Sequence, residues 1–164
     1  MPGRDRRDSL VRMTVDTENL EQFLGQGLDA MLGLEFVEMG EDRVVATLEL
    51  GPRHHQPFGI VHGGVYCAIA ESVASTSAFV WLAAQGPGQT AVGVNNNTDF
   101  LRSVTSGTIT ARSTPVHRGR RQQLWQVEMT DQNGRLLATS QVRLQNIDMP
   151  AGAGSQGAQG TDGA

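Results

Sequence analysis

Cysteine is nearly absent. Cys67 is the single one in 164 residues, so an intrachain disulfide is excluded. That usage fits a reducing compartment. Aromatic residues make up 5% of the chain, and thirteen basic residues face seventeen acidic ones for a net charge of −4. Neither figure suits a nucleic-acid binder or a general membrane-surface binder. No apolar run reaches about 18 residues, so no membrane-spanning helix is expected. Arg4, Arg6 and Arg7 are not followed by an apolar segment, so they do not form a secretory leader. A cytoplasmic protein is the expectation. No internal repeat appears. His54, His55 and His62 lack the carboxylate or cysteine spacing of a metal site, and no metal or cofactor is expected.

The length suits one domain with a sizeable core. Residues 1–15 are polar and without periodicity, which predicts a mobile arm. The domain then spans 16–148. From 149 to 164 the chain is Gly, Ala, Ser and Gln with almost no large apolar residue, which predicts a disordered tail.

Within the domain, Asp16-Thr17 opens a helical pattern through Leu20, Phe23, Leu24, Leu28 and Met31. Gly25 and Gly27 weaken that pattern, and Gly33 ends it. Leu34 to Met39 and Arg43 to Leu50 read as a hairpin around Gly40-Glu41-Asp42. Residues 63–84 read as a helix, apolar all round and therefore buried. Gly86-Pro87-Gly88 breaks it. Thr90 to Arg102 reads as one long strand. Gly107 to His117 alternates, with Pro115 marking an edge or a bulge. Gln122 to Thr130 alternates, and Arg135 to Gln145 returns after Asp131-Gln132-Asn133-Gly134. The Asn-Gly pair there suits positive φ at both central positions. The sum is an α+β domain: five to six antiparallel strands wrapped around one long central helix.

The informative stretch is Gln56 to Ser77. It passes through His62-Gly63-Gly64 and enters a helix rich in Ala, Val, Ile and Ser whose one charge is Glu71. A carboxylate in such a helix is costly to bury unless it is paired or hydrogen-bonded. The first amides of a helix have no internal partner and can receive a polarised carbonyl oxygen. Glycine lets a ligand approach them. Glu71 lies eight residues after Gly63, or about 12 Å along the axis. One carbonyl must lie about 3 Å from both an oxyanion donor and a base. The Gly63 N–H and Glu71 of one helix are therefore too far apart to serve one carbonyl. A second chain with its helix antiparallel would bring Glu71 of one copy to Gly63 of the other. The spacing predicts an obligate dimer with interfacial sites. Ser75 shares a helical face with Glu71, and Gln56 offers an amide to the same carbonyl.

Each piece alone also has a plainer reading. The glycines suit a turn, a lone Glu suits a surface, and Ser75 suits close helix packing. Tyr66 and Trp81 suit the core, Cys67 a small buried hydrophobe, and His62 a loop-fixing hydrogen bond. Arg118, Arg120 and Arg121 flank Gly119 in a turn between strands. Guanidinium binds phosphate bidentately, so the turn suits a phosphorylated ligand, and equally a solvated hairpin.

Taken jointly, Gln56-x5-His62-Gly63-Gly64-x6-Glu71-x3-Ser75 resembles the hotdog-fold acyl-CoA thioesterases. Gly93-x-Asn95, Phe100-x-Arg102, His117-x-Gly119, Trp125 and Asp131-x-x-Gly134-x-Leu136 extend the match over residues 30–147. The resemblance is to the branch holding the phenylacetate-pathway and Arthrobacter-type 4-hydroxybenzoyl-CoA thioesterases and those of enterobactin and menaquinone synthesis. It implies an acyl-CoA substrate. It implies that Glu71 is the catalytic carboxylate, as nucleophile or general base, and that the Gly63 N–H polarises the thioester carbonyl with Gln56 assisting. His62 would support the loop near the thioester, and Ser75 would stand near the acid. Gly64, Arg102, Arg118, Gly119, Arg120 and Arg121 would meet the CoA. Site halves from different subunits are implied, in a dimer or a dimer of dimers. Ser103 departs from a Pro found in some relatives, and the arginine turn is more basic than in the Arthrobacter type. A hotdog hydratase or dehydratase, and a non-catalytic acyl-CoA-binding module, remain alternatives.

Overall fold

The computed structural model describes residues 12–13 and 24–149. All of the expected tail but Met149, most of the expected arm and the start of the first expected helix lie outside them. The described chain forms β1 (Arg12–Met13), α1 (Gly27–Leu32), β2 (Leu34–Gly40), β3 (Arg43–Glu49), α2 (Gly63–Gln85), β4 (Gln89–Phe100), β5 (Thr108–Arg118), β6 (Gln122–Thr130) and β7 (Leu136–Asp148). A short 3₁₀ turn, Pro52–His54, lies in the loop before α2.

The strands make one sheet in the order β1-β2-β3-β5-β6-β7-β4. Six of them, β2 to β7, pair antiparallel, and α2 touches every one of the six. This is the α+β arrangement read from the sequence. By length and hydropathy α2 passes as a membrane span, but its packing within the sheet marks it as a core helix.

The alternation follows the burial. In β6, Gln123, Trp125, Val127 and Met129 are buried between less buried neighbours, and Val142 and Leu144 of β7 continue that face. Against them α2 packs Ile69, Val73 and Ala74, all fully buried. Burying each large aliphatic chain contributes roughly 1.5–3 kcal/mol. Two buried serines tie helix to sheet. Ser77 Oγ donates to the Val73 carbonyl and meets Ser113 Oγ at 2.7 Å, while Ser113 Oγ accepts from the Val44 N–H.

Several expectations need correction. Gly25 and Gly27 adopt positive φ (68° and 57°) and interrupt the expected helical path, so the described helix runs from Gly27 to Leu32, while the expected start at Asp16 lies outside the described residues. Gly33 does end the helix, in the left-handed region. Arg12 and Met13, expected in the unstructured arm, pair parallel with Glu38 and Met39. Backbone pairing to a free sheet edge needs no side-chain pattern, so none was visible. Pro115 marks a bulge opposite β6, not an edge, since β5 is flanked by β3 and β6. In the β6–β7 connection Gly134 has positive φ (76°) but Asn133 does not. Asp131 spans that connection, its backbone N–H donating to the Arg135 carbonyl and its own carbonyl accepting from Gly134. A connection of this length has no need of the two-residue mirror-image turn. Finally, α2 is not buried all round: Gly63, Cys67, Glu71, Ser75 and Phe79, at every fourth position, are each half-buried.

Candidate active site

His62 caps α2. Its Nδ1 accepts the Gly64 N–H at 2.8 Å, and its carbonyl accepts the Val65 N–H. The proton of the neutral ring therefore sits on Nε2. The Gly63 N–H has no partner among the described residues, which leaves it as the free donor at the positive end of the helix. The Phe100 ring covers this position: a Cβ on Gly63 would stand 3.0 Å from two of its carbons. Tyr66, one turn on, packs its ring 6.0 Å from that of Phe100. The Tyr66 side chain is 3% exposed, its hydroxyl has no partner among the described residues, and burial pushes its pKa up.

Glu71 lies on the same stripe, two turns beyond Gly63. Its Oε2 accepts from Asn96 Nδ2 at 3.0 Å, and the same amide group donates to the Cys67 carbonyl. Its Oε1 lies against β4 at Gly93, where a Cβ would stand 1.9 Å away. Ser75 follows one turn later and is half-buried like Glu71.

The loop before α2 is held by its own backbone and by two histidines. Gln56 bonds through its backbone to Ile60 and Gly59, and its side-chain oxygen accepts from the Phe58 N–H. That leaves the Gln56 amide N–H groups as the end that can donate. His54 is buried between the Gly51 N–H and the Leu32 carbonyl, and His55 Nε2 bonds the Thr105 carbonyl. All three loop histidines thus bind backbone. Among the described residues no three His, Cys, Asp or Glu come together as a metal site.

The arginines divide. Arg118 is engaged: it bonds the Glu41 carbonyl, pairs with Asp42 at 2.8 Å, and lies over the rings of Trp81 and Trp125. Arg120 and Arg121 are exposed. With His117, Gly119, Gln122 and Gln145 they line an open cavity of about 650 Å³. Asn146 holds this turn, its backbone N–H donating to the Arg121 carbonyl and its side chain to those of Gly119 and Arg120. Across the sheet Gln122 pairs with Gln145, and Gln145 with Val92. The turn therefore lies two strand spacings, about 10 Å, from the part of β4 next to Glu71. Arg102 is exposed and donates to the Leu136 carbonyl.

A putative esterase of Mycobacterium tuberculosis is 54% identical over 120 residues, covering 73% of this chain and 86% of its own length. The sequence pattern of the Thioesterase superfamily matches residues 58–138. The chain belongs to the thioesterase superfamily. Thioester hydrolysis is its reaction class, and the sheet wrapped around α2 is the hotdog fold. A 1,4-dihydroxy-2-naphthoyl-CoA hydrolase of Escherichia coli is 35% identical over 73% of this chain and 86% of its own. A crystal structure of a Haemophilus influenzae thioesterase superposes with a TM-score of 0.75 at 37% identity, covering 85% of this chain and 95% of that one.

For this thioesterase the sequence reading missed Asn96. It paired Gly93 with Asn95, whereas Asn96 makes the contact to Glu71. In a regular strand residues 93 and 96 point to opposite faces. Here the register slips between Gly93 and Asn95, and that bulge turns both residues toward α2. Three consecutive asparagines, Asn95 to Asn97, hide which of them faces inward. A bulge leaves no mark in periodicity, although Gly93 hinted at a close approach.

Proposed function

We propose that this thioesterase hydrolyses an acyl-CoA thioester carrying an aromatic or similarly bulky acyl group. The single observation behind this is the pairing of a free helix-start donor at Gly63 with a carboxylate fixed at Glu71, two turns along one stripe. The Gly63 N–H, helped by the Gln56 amide, donates to the carbonyl oxygen as negative charge develops on it. Glu71 either takes a proton from an attacking water, or attacks the carbonyl itself to form a mixed anhydride that water then hydrolyses. The thiolate of CoA leaves, takes up a proton, and the carboxylic acid is released. Ser75 stands where it can bind the water or the leaving group. Phe100 and Tyr66, their tilted rings packed together beside Gly63, favour an aromatic acyl group. Arg120 and Arg121, with Arg102 in addition, meet the CoA phosphates, while Arg118 anchors their turn. The substrate named for the Escherichia coli relative is of this class.

The functional unit of this reading is a dimer, because about 12 Å of helix rise separates Gly63 from Glu71. β4 supports it: this twelve-residue strand has β7 as its one partner among the described residues. Along it Val92, Val94 and Phe100 are exposed. Such an edge is a template for another strand. A dimer of dimers remains within this proposal.

The purified protein should release thiol from benzoyl-type CoA esters, and Glu71→Ala should abolish that release while the protein stays folded. Undiminished turnover by Glu71→Ala would end this reading. So would hydration of an enoyl-CoA with its thioester left intact.

A further inference from the structure

We infer that Asn96 is the positioning residue for the Glu71 carboxylate. It works at the end of a one-way chain of hydrogen bonds that starts at Ser140. The inference rests on the reading of Glu71 as the catalytic carboxylate.

The direction of the chain follows from counting protons. Thr98 Oγ1 donates to Asn96 Oδ1 at 2.7 Å and lies 2.8 Å from Ser140 Oγ. A hydroxyl has one proton. Thr98 spends its own on Asn96, so Ser140 must be the donor to Thr98. The Asn96 carbonyl is then fixed toward Thr98, and both Nδ2 protons face α2. One goes to the Cys67 carbonyl and the other to Glu71 Oε2. A flipped amide could still donate to Thr98 Oγ1, but it would set its oxygen against the two acceptor oxygens of α2 and lose both of those bonds, so the network favours a single orientation.

Asn96 therefore grips one helical turn at both ends, the backbone at Cys67 and the carboxylate at Glu71. Oε2 is committed to it. Oε1, over the bare Cα of Gly93, is the atom left to receive a proton or attack the carbonyl. The chain also has a rigid anchor. Ser140 is 1% exposed and lies directly across from Thr98 in the β4–β7 pairing. Asn96 itself is half-buried, so the bond to Glu71 is only partly open to competition from solvent. A flexible acid side chain loses rotamer freedom only when something holds it, and no other described side chain bonds to this carboxylate.

The test is a variant series assayed with benzoyl-CoA, reading kcat and KM separately. Asn96→Ala should lower kcat about 10- to 100-fold with KM within about twofold. Asn96→Asp keeps the shape and the Thr98 bond but replaces the donor with an oxygen, and should lose as much as Asn96→Ala. A space-filling role would leave the Asp variant active. Thr98→Val leaves Asn96 in place but removes the bond to its carbonyl, and should cost a smaller factor. Any residual rate of Glu71→Ala should not fall further when Asn96→Ala is added. Wild-type kcat in both Asn96 variants, with Glu71→Ala inactive, would overturn the inference while leaving the site assignment standing. An active Glu71→Ala would overturn both. Thermal unfolding of each variant separates these outcomes from a failure to fold, and Thr98→Val carries the test if the Asn96 variants do not fold.

Discussion

At the scale of single residues, the site depends on what is missing as much as on what is present. Gly93 has no side chain, and the space of its absent Cβ is held by Glu71 Oε1, 1.9 Å from where the Cβ would stand. Its φ is not in the left-handed region, so alanine fits the backbone there. Alanine in a strand interior is favoured over glycine by about 0.5–1 kcal/mol. Gly93→Ala should therefore fold at least as well as the parent and displace the carboxylate, lowering kcat by about tenfold or more. Thermal unfolding beside thiol release checks both halves of that statement. A variant with full turnover would mean that Oε1 need not lie where it does. Gly93 was legible as part of a motif, but its reason was not: the close contact is made by a residue 22 positions away.

At the scale of elements, the sequence was most readable where alternation is unbroken. β6 has the bounds that its pattern gave, and the β2–β3 hairpin turns where Gly40-Glu41-Asp42 said it would. It was least readable where glycine dihedrals or a slip of register decide the outcome, as at Gly25 and Gly27 or in the bulged β4. The β6–β7 connection lies between these cases. Its hairpin was expected, but its stability comes from Asp131, read only as part of a turn motif. Asp131 is 5% exposed. Its Oδ1 accepts the N–H groups of Asn133 and Arg135, and its Oδ2 accepts from the Arg135 guanidinium. The Arg135 backbone N–H foremost, with the guanidinium and the Asn133 N–H, holds this carboxyl below its ordinary pKa, against the opposing effect of burial. A depressed folded-state value means that the folded protein binds the proton more weakly than the unfolded chain. The stabilisation is complete above the ordinary aspartate value of about 3.9 and fades as pH falls through the lower folded value. Asp131→Asn should therefore be less stable than the parent at about pH 6, and the gap should close toward about pH 3. Urea midpoints across that range check it; a gap independent of pH would remove the carboxylate as its source.

At the scale of the whole molecule, the helix rise sets the assembly. If Glu71 of one chain serves Gly63 and Gln56 of its partner, defects in the two halves complement each other. A Glu71→Ala chain paired with a Gln56→Ala chain places both defects in one site and leaves the other intact. Co-expressed, differently tagged mixed dimers should recover up to about half of the parent kcat, while each variant alone stays low. Sites built within single chains would give mixed dimers with no intact site and no recovery.

The bulge in β4 carries a consequence that substitution cannot reach. Gly93 and Asn96 face the same carboxylate because an odd number of steps between them has been made even by one extra residue. The active geometry is thus stored as parity along a strand, with no single side chain encoding it. Removing Val94 would take out that extra residue and leave Gly93 and Asn96 two regular steps apart, still on the face toward Glu71, whereas removing Asn97 would set Asn96 and Thr98 on opposite faces. Among relatives compared by sequence, a one-position gap at the bulge is therefore compatible with the same site, while a one-position gap between Asn96 and Thr98 parts two residues that must share a face.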